Sequence, residues 1–169
     1  MSINFDFLSD SNIFGKKVPD NFQIRAIKKQ DNTVVAAGAG SGKTEVLALR
    51  YISLLLTNED LHVENILALT FTDKAASEIY ERIYKRLVDF AEKLDENKYP
   101  TEKKLAKRAL VEFGNAKIQT LDSYSCDIVR LAANRYGLSP DFTICGSSVL
   151  TNVSSSALPF VIMHKDEPC

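Results

Sequence analysis

The sequence predicts an α/β fold in which helices cover both faces of a parallel sheet. Three apolar runs of strand length alternate with segments of helical periodicity, and this order is typical of parallel sheets because each crossover between parallel strands needs a connecting helix. A glycine-rich segment joins the first apolar run to the first long helix. The strand candidates are 33–37, 66–71 and 116–121, and helices are expected to follow them from about residues 43, 73 and 123.

Length and composition allow one folded domain with its own core. The chain has 169 residues, of which 45% are hydrophobic and 25% charged, as in ordinary folded proteins rather than disordered ones. Its 21 basic and 22 acidic residues nearly cancel. This balance neither predicts nor excludes a nucleic-acid partner, because attraction to phosphates depends on local basic surface and not on the total charge.

The cysteines and the apolar runs bear on the cellular environment. Cys126, Cys145 and Cys169 are odd in number and have no paired spacing, and His62 and His164 do not group with them as a set of zinc ligands. Reduced thiols are the expectation. The first residues lack a signal-peptide pattern, and the apolar runs are shorter than the ~20 residues that span a bilayer. We therefore expect a cytoplasmic protein with no membrane partner.

The chain before the glycine-rich segment is expected to contain an irregular lead-in, a short helix and a buried strand. Residues 1–19 mix polar and apolar side chains without a clear period. Pro19, Asp20 and Asn21 supply the chemistry of a helix start, so a helix is predicted over 20–29. The segment 33–37 is short, β-branched and followed by glycine, which is typical of a buried strand.

Four helices are predicted after the glycine-rich segment. The first, 43–56, is broadly apolar, and the second runs from residue 73 until Tyr99-Pro100 breaks the pattern. The others are a charged helix over 101–113 and a helix over 123–136 that ends at a glycine. The second has an apolar stripe at helical spacing, which predicts that one face is buried. The stripe consists of Ala76, Ile79, Ile83, Leu87, Phe90 and Leu94.

The glycine-rich segment has the pattern of a phosphate-binding loop. It matches G-x-x-x-x-G-K-[ST] except that Ala37 stands at the first glycine position. In such a loop, backbone amides and the positive end of the following helix surround the phosphates. Lys43 then reaches the β- and γ-phosphates, and the Thr44 hydroxyl is placed to ligate Mg²⁺, so these two are the candidate catalytic residues. The predicted loop residues are Ala37, Gly38, Ala39, Gly40, Ser41, Gly42, Lys43 and Thr44.

The loop resembles the first motif of superfamily 1 helicases of the UvrD/Rep/RecB type, and three other segments resemble motifs of that family in the same order. Residues 23–27 are similar to the Q motif, which implies that Gln23 hydrogen-bonds the adenine edge of ATP. Residues 68–78 resemble a motif that contacts single-stranded DNA. Residues 118–124 resemble the T-x-H-S-F motif, and their continuation through Arg130, Leu138 and Phe142 is most similar to the RecB/AddA exonuclease branch.

The resemblance implies a P-loop NTPase of RecA-like fold over 20–145, in which the helical segment 74–113 is a candidate start of an inserted subdomain. It also implies contacts to single-stranded DNA at two successive strand ends, where an aromatic ring can stack on bases and hydroxyl groups can bind phosphates. Two positions depart from the family pattern, since Asp73 stands in place of Asn and Asp122 in place of His. Both put a carboxylate near the proposed phosphate track, which is unfavourable unless a cation such as Lys74 or Arg130 compensates. The predicted DNA-contact residues are Thr70, Phe71, Thr72, Lys74, Thr120, Ser123 and Tyr124.

Hydrolysis needs more groups than the sequence provides. Hydrolysis requires groups that hold Mg²⁺, orient the water and offset the developing charge. The resemblance implies that an acidic pair after a later strand and arginines from a second RecA-like domain supply them. The one acidic candidate, in 160–167, has its carboxylates two residues beyond the apolar run. We therefore expect an incomplete RecA-like domain with an atypical tail over 146–169, from truncation or a frameshift. The chain alone is expected to bind ATP weakly if at all, and neither to hydrolyse ATP nor to unwind DNA.

The leading hypothesis is the ATP-binding part of a RecB/AddA-like helicase–exonuclease subunit that acts on single-stranded DNA in recombinational repair. Its cofactors would be ATP and Mg²⁺. Its partners would be the remainder of a larger helicase chain or a nuclease subunit. The alternatives are another P-loop NTPase such as a small kinase, and a non-catalytic remnant that binds nucleotide or DNA.

Overall fold

The computed structural model describes residues 5–15, 17–29, 31–38 and 40–142. These fall into two compact units, Met1–Tyr124 and Ser125–Cys169, whose boundary lies inside a helix. Among the described residues, the first unit contains most of the regular structure. The helices are α1 (Ser11–Phe14), α2 (Asn21–Lys28), α3 (Lys43–Thr57), α4 (Asp73–Lys93), α5 (Pro100–Glu112) and α6 (Leu121–Ala132), and the strands are β1 (Leu67–Thr70) and β2 (Lys117–Thr120).

The two strands form a parallel sheet, as predicted. Leu67 pairs with Lys117 at one end and Thr70 with Thr120 at the other, so both strands finish at the same edge. Helix α4, which connects β1 towards β2, packs against both strands. Helical cover on both faces was predicted, but within the first unit Leu67 and Leu69 of β1 stay exposed. A two-stranded sheet offers little area, and here α4 covers one face of it.

The core lies between α3, α4 and α5. Every residue of the predicted α4 stripe is buried, which confirms the helical period as a guide to the packed face. Phe90, at the C-terminal end of α4, meets Phe7 and Phe14 edge-on at ring-centroid distances of 5.7 and 5.8 Å. Such edge-to-face geometry is favourable because it sets the positive rim of one ring against the negative face of another.

The N-terminal lead-in is more regular than predicted. It forms a 3-10 turn at Asp6–Ser9 and then α1, whose N-terminus is capped by Asp10 through its acceptance of the Asn12 N–H at 2.9 Å. Phe7 and Phe14 project into the core from these turns. The segment has no obvious period because each turn is only four residues long.

The strand predicted at 33–37 is absent. Residues 32–38 have no regular structure, and Val34 is 96% exposed. A strand exists only through hydrogen bonds to a neighbour, and in the described residues β1 and β2 pair only with each other. β-branched composition without a partner was therefore insufficient, and the prediction of a buried strand here is wrong.

The other predicted elements are confirmed within a few residues, except that α4 ends at Lys93, whereas the sequence predicted that it would run until Tyr99-Pro100. Helix 123–136 begins two residues early, at Leu121, and continues as a 3-10 turn, Ala133–Tyr136, that ends at Gly137 with φ 68°. The proposed acidic segment 160–167 and the tail 146–169 lie outside the described residues. Within the described ranges, no helix is both long and apolar enough to cross a membrane.

Candidate nucleotide-binding site and DNA-contact surface

The glycine-rich loop leads directly into α3. Gly40 and Gly42 adopt φ of 75° and 80°, left-handed values that residues with a Cβ rarely take. Gly42 is the residue before the helix, and no side chain caps the α3 N-terminus within the described part of the loop, which omits Ala39. The first amides of α3 are therefore available to an anion, and the helix dipole favours one there.

Lys43 folds back over this loop. Its Nζ donates hydrogen bonds to the carbonyl oxygens of Ala37 at 2.9 Å and Gly38 at 2.7 Å. The Ser41 hydroxyl also donates to the Gly38 oxygen, at 2.8 Å. The ammonium group is thus held close to the loop by neutral acceptors, and phosphate oxygens carrying negative charge are stronger acceptors that could replace them.

Thr44 occupies the second position of α3 and is half-buried. Mg²⁺ in nucleotide sites keeps several waters and takes most other ligands from phosphates, with one or two from protein. A single hydroxyl beside the phosphate loop fits that requirement. Among the described residues there is no group of three or more His, Cys, Asp or Glu side chains that could hold a metal without the nucleotide.

Gln23 lies next to the phosphate loop, and its side-chain amide already has hydrogen-bond partners. Its Oε1 accepts from the Asp20 N–H at 3.0 Å, while the Asp20 carboxylate accepts from the Gln23 N–H at 2.9 Å, which forms a capping box at the start of α2. Its Nε2 donates to the Ser41 carbonyl oxygen at 3.4 Å. Gln23 therefore links α2 to the phosphate loop, and its contact with an adenine edge stays a prediction.

Arg50 was not singled out by the sequence, yet it fixes α2 against α3. Its Nη1 donates to the carbonyl oxygens of Ala26 at 3.2 Å and Ile27 at 3.1 Å, and also to that of Lys29. These carbonyls lie at the C-terminal end of α2, where helical partners run out. The signal available in the sequence was one arginine among the hydrophobic residues between Val46 and Ile52.

Two neighbouring cavities open beside the loop, with volumes of about 200 and 300 Å³. Both are lined by Ala26, Val35, Lys43 and Val46, so each combines apolar walls with the loop lysine. The smaller one also reaches Phe22, Gln23 and Ser41. The sequence predicted the loop but not the apolar recess beside it.

The predicted DNA-contact residues of the first motif gather at the end of β1. Phe71 follows the strand directly and is 92% exposed. The Thr72 hydroxyl accepts from the Ala75 N–H at 3.2 Å and so caps α4, while the Thr70 hydroxyl donates to the Thr72 carbonyl oxygen at 3.0 Å. Lys74 is exposed in the first turn. The ring and the ammonium group are open to a ligand, whereas both hydroxyls have partners.

The second motif lies beside the first because of the strand register, in which Thr120 pairs with Thr70. Thr120 is only 7% exposed, and its Oγ1 is 2.8 Å from the Ser123 Oγ and accepts from the Ser123 N–H at 3.2 Å. Ser123 is exposed and Tyr124 is half-buried. The hydroxyl of Ser123 is thus better placed for a phosphate than that of Thr120.

A cavity of about 520 Å³ lies between α4 and β2, next to these residues. Ser77 and Tyr80 line it and were not among the predicted contacts. Asp73 and Glu81 line it too, so it is not a basic groove. Asp73 and Asp122 lie in the first turns of α4 and α6, where a carboxylate is stabilised by the helix dipole. The helix dipole therefore favours a carboxylate at both of the positions that depart from the expected Asn and His.

Comparison with known proteins gives consistent matches. The family model described as UvrD/REP helicase N-terminal domain matches residues 20–165. An ATP-dependent helicase/nuclease subunit from Clostridium botulinum (strain Alaska E43 / Type E3) is 38% identical over 125 residues, which are 73% of this chain and 10% of that protein. The protein of the same name from Clostridioides difficile (strain 630) is 36% identical over 124 residues, 72% of this chain and 9% of that protein. That from Thermoanaerobacter sp. (strain X514) is 40% identical over 114 residues, 67% and 9% respectively. The chain spans about a tenth of the length of these relatives.

Proposed function

The chain belongs to the UvrD/REP helicase N-terminal domain family, as its motifs predicted, and we propose that it forms the ATP-binding segment of an ATP-dependent helicase/nuclease. The observation that carries this proposal is the loop at 37–44. Its left-handed glycines, the Lys43 side chain folded back over it and the uncapped start of α3 support a site for a polyphosphate. In this proposal the segment is part of a RecA-like domain that is completed elsewhere in a larger protein.

ATP binding would use this chain's own groups in three roles. The amides at the start of α3 receive the phosphates, and Lys43 exchanges the carbonyl oxygens of Ala37 and Gly38 for the β- and γ-phosphate oxygens. The Thr44 hydroxyl would provide one ligand to Mg²⁺, which would supply positive charge against that of the phosphates. Because two carbonyl contacts are lost as phosphate contacts form, only the difference between them favours binding.

Single-stranded DNA would bind at the shared edge of β1 and β2. Phe71 offers an exposed ring for base stacking, and Ser123 and Lys74 can contact phosphates nearby. The names of the relatives include both helicase and nuclease, so we propose that the whole protein acts on DNA in recombinational repair. Its partners would be the rest of a helicase chain or a nuclease subunit.

Fluorescent ATP analogues test the nucleotide part of the proposal. With Mg²⁺ present, Lys43→Ala should abolish binding, because the lysine is the main cation at the loop. Lys107→Ala, which removes an exposed lysine on α5, should leave binding unchanged. Equal binding by the two variants would contradict the assignment of the loop.

Oligo-dT separates this function from that of a kinase. Addition of oligo-dT should change the affinity for the nucleotide, and Phe71→Ala should reduce that effect while nucleotide binding without DNA persists. Indifference to DNA would favour a small-molecule kinase. We expect no ATP turnover by this chain alone, and a DNA-stimulated ATPase activity that Lys43→Ala abolishes would overturn that expectation.

A further inference from the structure

Phe22 has an unusual environment for a phenylalanine. It is 84% exposed, although phenylalanine is among the most buried residue types. In the described ranges it makes no ring contact, whereas five other phenylalanines do. Those five are Phe5, Phe7, Phe14, Phe90 and Phe113.

The position of Phe22 on α2 directs it to the cavity beside the phosphate loop. Ala26 lies one turn further along the same face of the helix, and both residues line the cavity of about 200 Å³. Ile27, on the adjacent face, packs into the core and fixes how the helix is rotated. The exposed ring therefore stands at the rim of this recess.

The cavity has both apolar and polar walls. Ala26 and Val35 are among its apolar lining residues, and Asp20, Ser41 and the cationic Lys43 are among its polar ones. A ligand that fits both kinds of wall has a flat apolar ring system joined to a polyanion. A nucleoside triphosphate has this form, with its phosphates in the loop and its base in the apolar recess.

We propose that Phe22 is the platform on which the base of the bound nucleotide stacks. This inference rests on the proposed nucleotide-binding function and adds a residue outside the predicted loop and glutamine. Stacking uses the face of the base, which every base possesses, so Phe22 raises affinity without selecting adenine. Larger ring systems overlap more, and Phe22 therefore favours purine over pyrimidine nucleotides.

The test compares ATP with inorganic tripolyphosphate on the 169-residue chain, both with Mg²⁺ and titrated by NMR. Phe22→Leu keeps an apolar side chain but removes the aromatic face. It should weaken ATP binding by at least about 5-fold, the factor that ~1 kcal/mol of stacking represents, and leave tripolyphosphate binding unchanged. Phe22→Tyr should bind ATP as the unaltered chain does. Val111→Ala, which trims an exposed apolar side chain on α5, is the matched control.

The outcomes distinguish stacking of the base on Phe22 from binding of the phosphates by the loop. Nuclear Overhauser contacts between base protons and the Phe22 ring, together with the selective loss in Phe22→Leu, would support the inference. If tripolyphosphate binds but ATP binds no more tightly, or if Phe22→Leu weakens both equally, the platform is wrong while the phosphate loop stands. If neither ligand shifts the loop resonances and Lys43→Ala behaves identically, the proposed function fails and the inference fails with it.

Discussion

Arg50 provides a direct test of how α2 is held beside the phosphate loop. Its Nη1 lies 3.2 Å from the carbonyl oxygen of Ala26 and 3.1 Å from that of Ile27, and it also contacts the oxygen of Lys29. Methionine in its place keeps an apolar stem of similar length but removes the donor. Arg50→Met should therefore free the C-terminal end of α2 without opening a large cavity.

The size of the effect follows from the number of hydrogens available. A guanidinium Nη carries two hydrogens, so at most two of the three oxygens are bonded at full strength at once. A hydrogen bond to a charged group contributes ~1.5–3 kcal/mol, and the lower end applies here because the oxygens are only partly shielded from water. Two such bonds at ~1.5 kcal/mol each give an expected loss of about 3 kcal/mol in the free energy of unfolding.

Urea denaturation measures this loss, and Arg25→Met is the matched control. Arg25 is exposed on the same helix, and its replacement should change stability by less than ~0.5 kcal/mol. Arg50→Lys should be intermediate, since a single ammonium cannot reproduce the planar fork of arginine. Amide hydrogen exchange should show the loosening concentrated in α2. Equal destabilisation by Arg50→Met and Arg25→Met would refute the inference that Arg50 holds α2 against α3.

Three further predictions concern separate features of the first unit. Gly42→Ala should lower the free energy of unfolding by ~1–3 kcal/mol, because φ is 80° and the new Cβ would lie 3.1 Å from Gln23 Nε2. Gly38→Ala is the control, since its Cβ would meet nothing within 4 Å. If thermal unfolding showed both variants to be as stable as the unaltered chain, this prediction would be wrong. Burial, with a smaller contribution from the neighbouring Tyr80, raises the pKa of Tyr51 from 10.0 to about 12. The stability that this shift contributes is therefore fully present below pH 10 and is lost as the pH rises towards 12. Tyr51→Phe should make that loss smaller when the free energy of unfolding is measured across this pH range. The ion pair between Glu45 Oε1 and Arg86 Nη2, which are 2.5 Å apart, links α3 to α4. A double-mutant cycle should give a coupling energy of about 1–2 kcal/mol between the two residues. Additive effects of the two substitutions would show that the pair does not stabilise this contact.

Elements with a strong internal period could be predicted from sequence, whereas elements that depend on a partner could not. The stripe of α4 repeats along the whole helix, so the buried face follows from helical geometry alone. The segment 33–37 has the composition of a strand, but composition does not provide the neighbour that a strand requires. The turns at 6–14 were missed for the opposite reason, since four-residue turns have no period yet still bury Phe7 and Phe14.

The candidate nucleotide site also combines features that could be predicted from the sequence with contacts that could not. The loop pattern predicted which residues surround a phosphate, because backbone approach and a helix N-terminus depend on local sequence. Nothing local indicates that Lys43 bonds to its own loop, or that Gln23 divides its amide between a helix cap and Ser41. Arg50 is 23 residues from Ile27, so their contact appears only once α2 and α3 pack together.

The paired strand ends suggest how a largely neutral chain could bind a polyanion. Threonines occupy equivalent register positions on β1 and β2, and an aspartate follows each within the first turn of the next helix. Each carboxylate stabilises its own helix by ~0.3–1 kcal/mol through its interaction with the helix dipole. The same negative charge offsets part of the positive potential that a phosphate would otherwise meet at the helix N-terminus. Phosphate contacts at this edge are thereby weakened, while the exposed ring of Phe71 is unaffected by charge. Attraction for a single strand at this edge would therefore depend more on base stacking than on neutralised phosphates, and its dependence on salt would be correspondingly shallow.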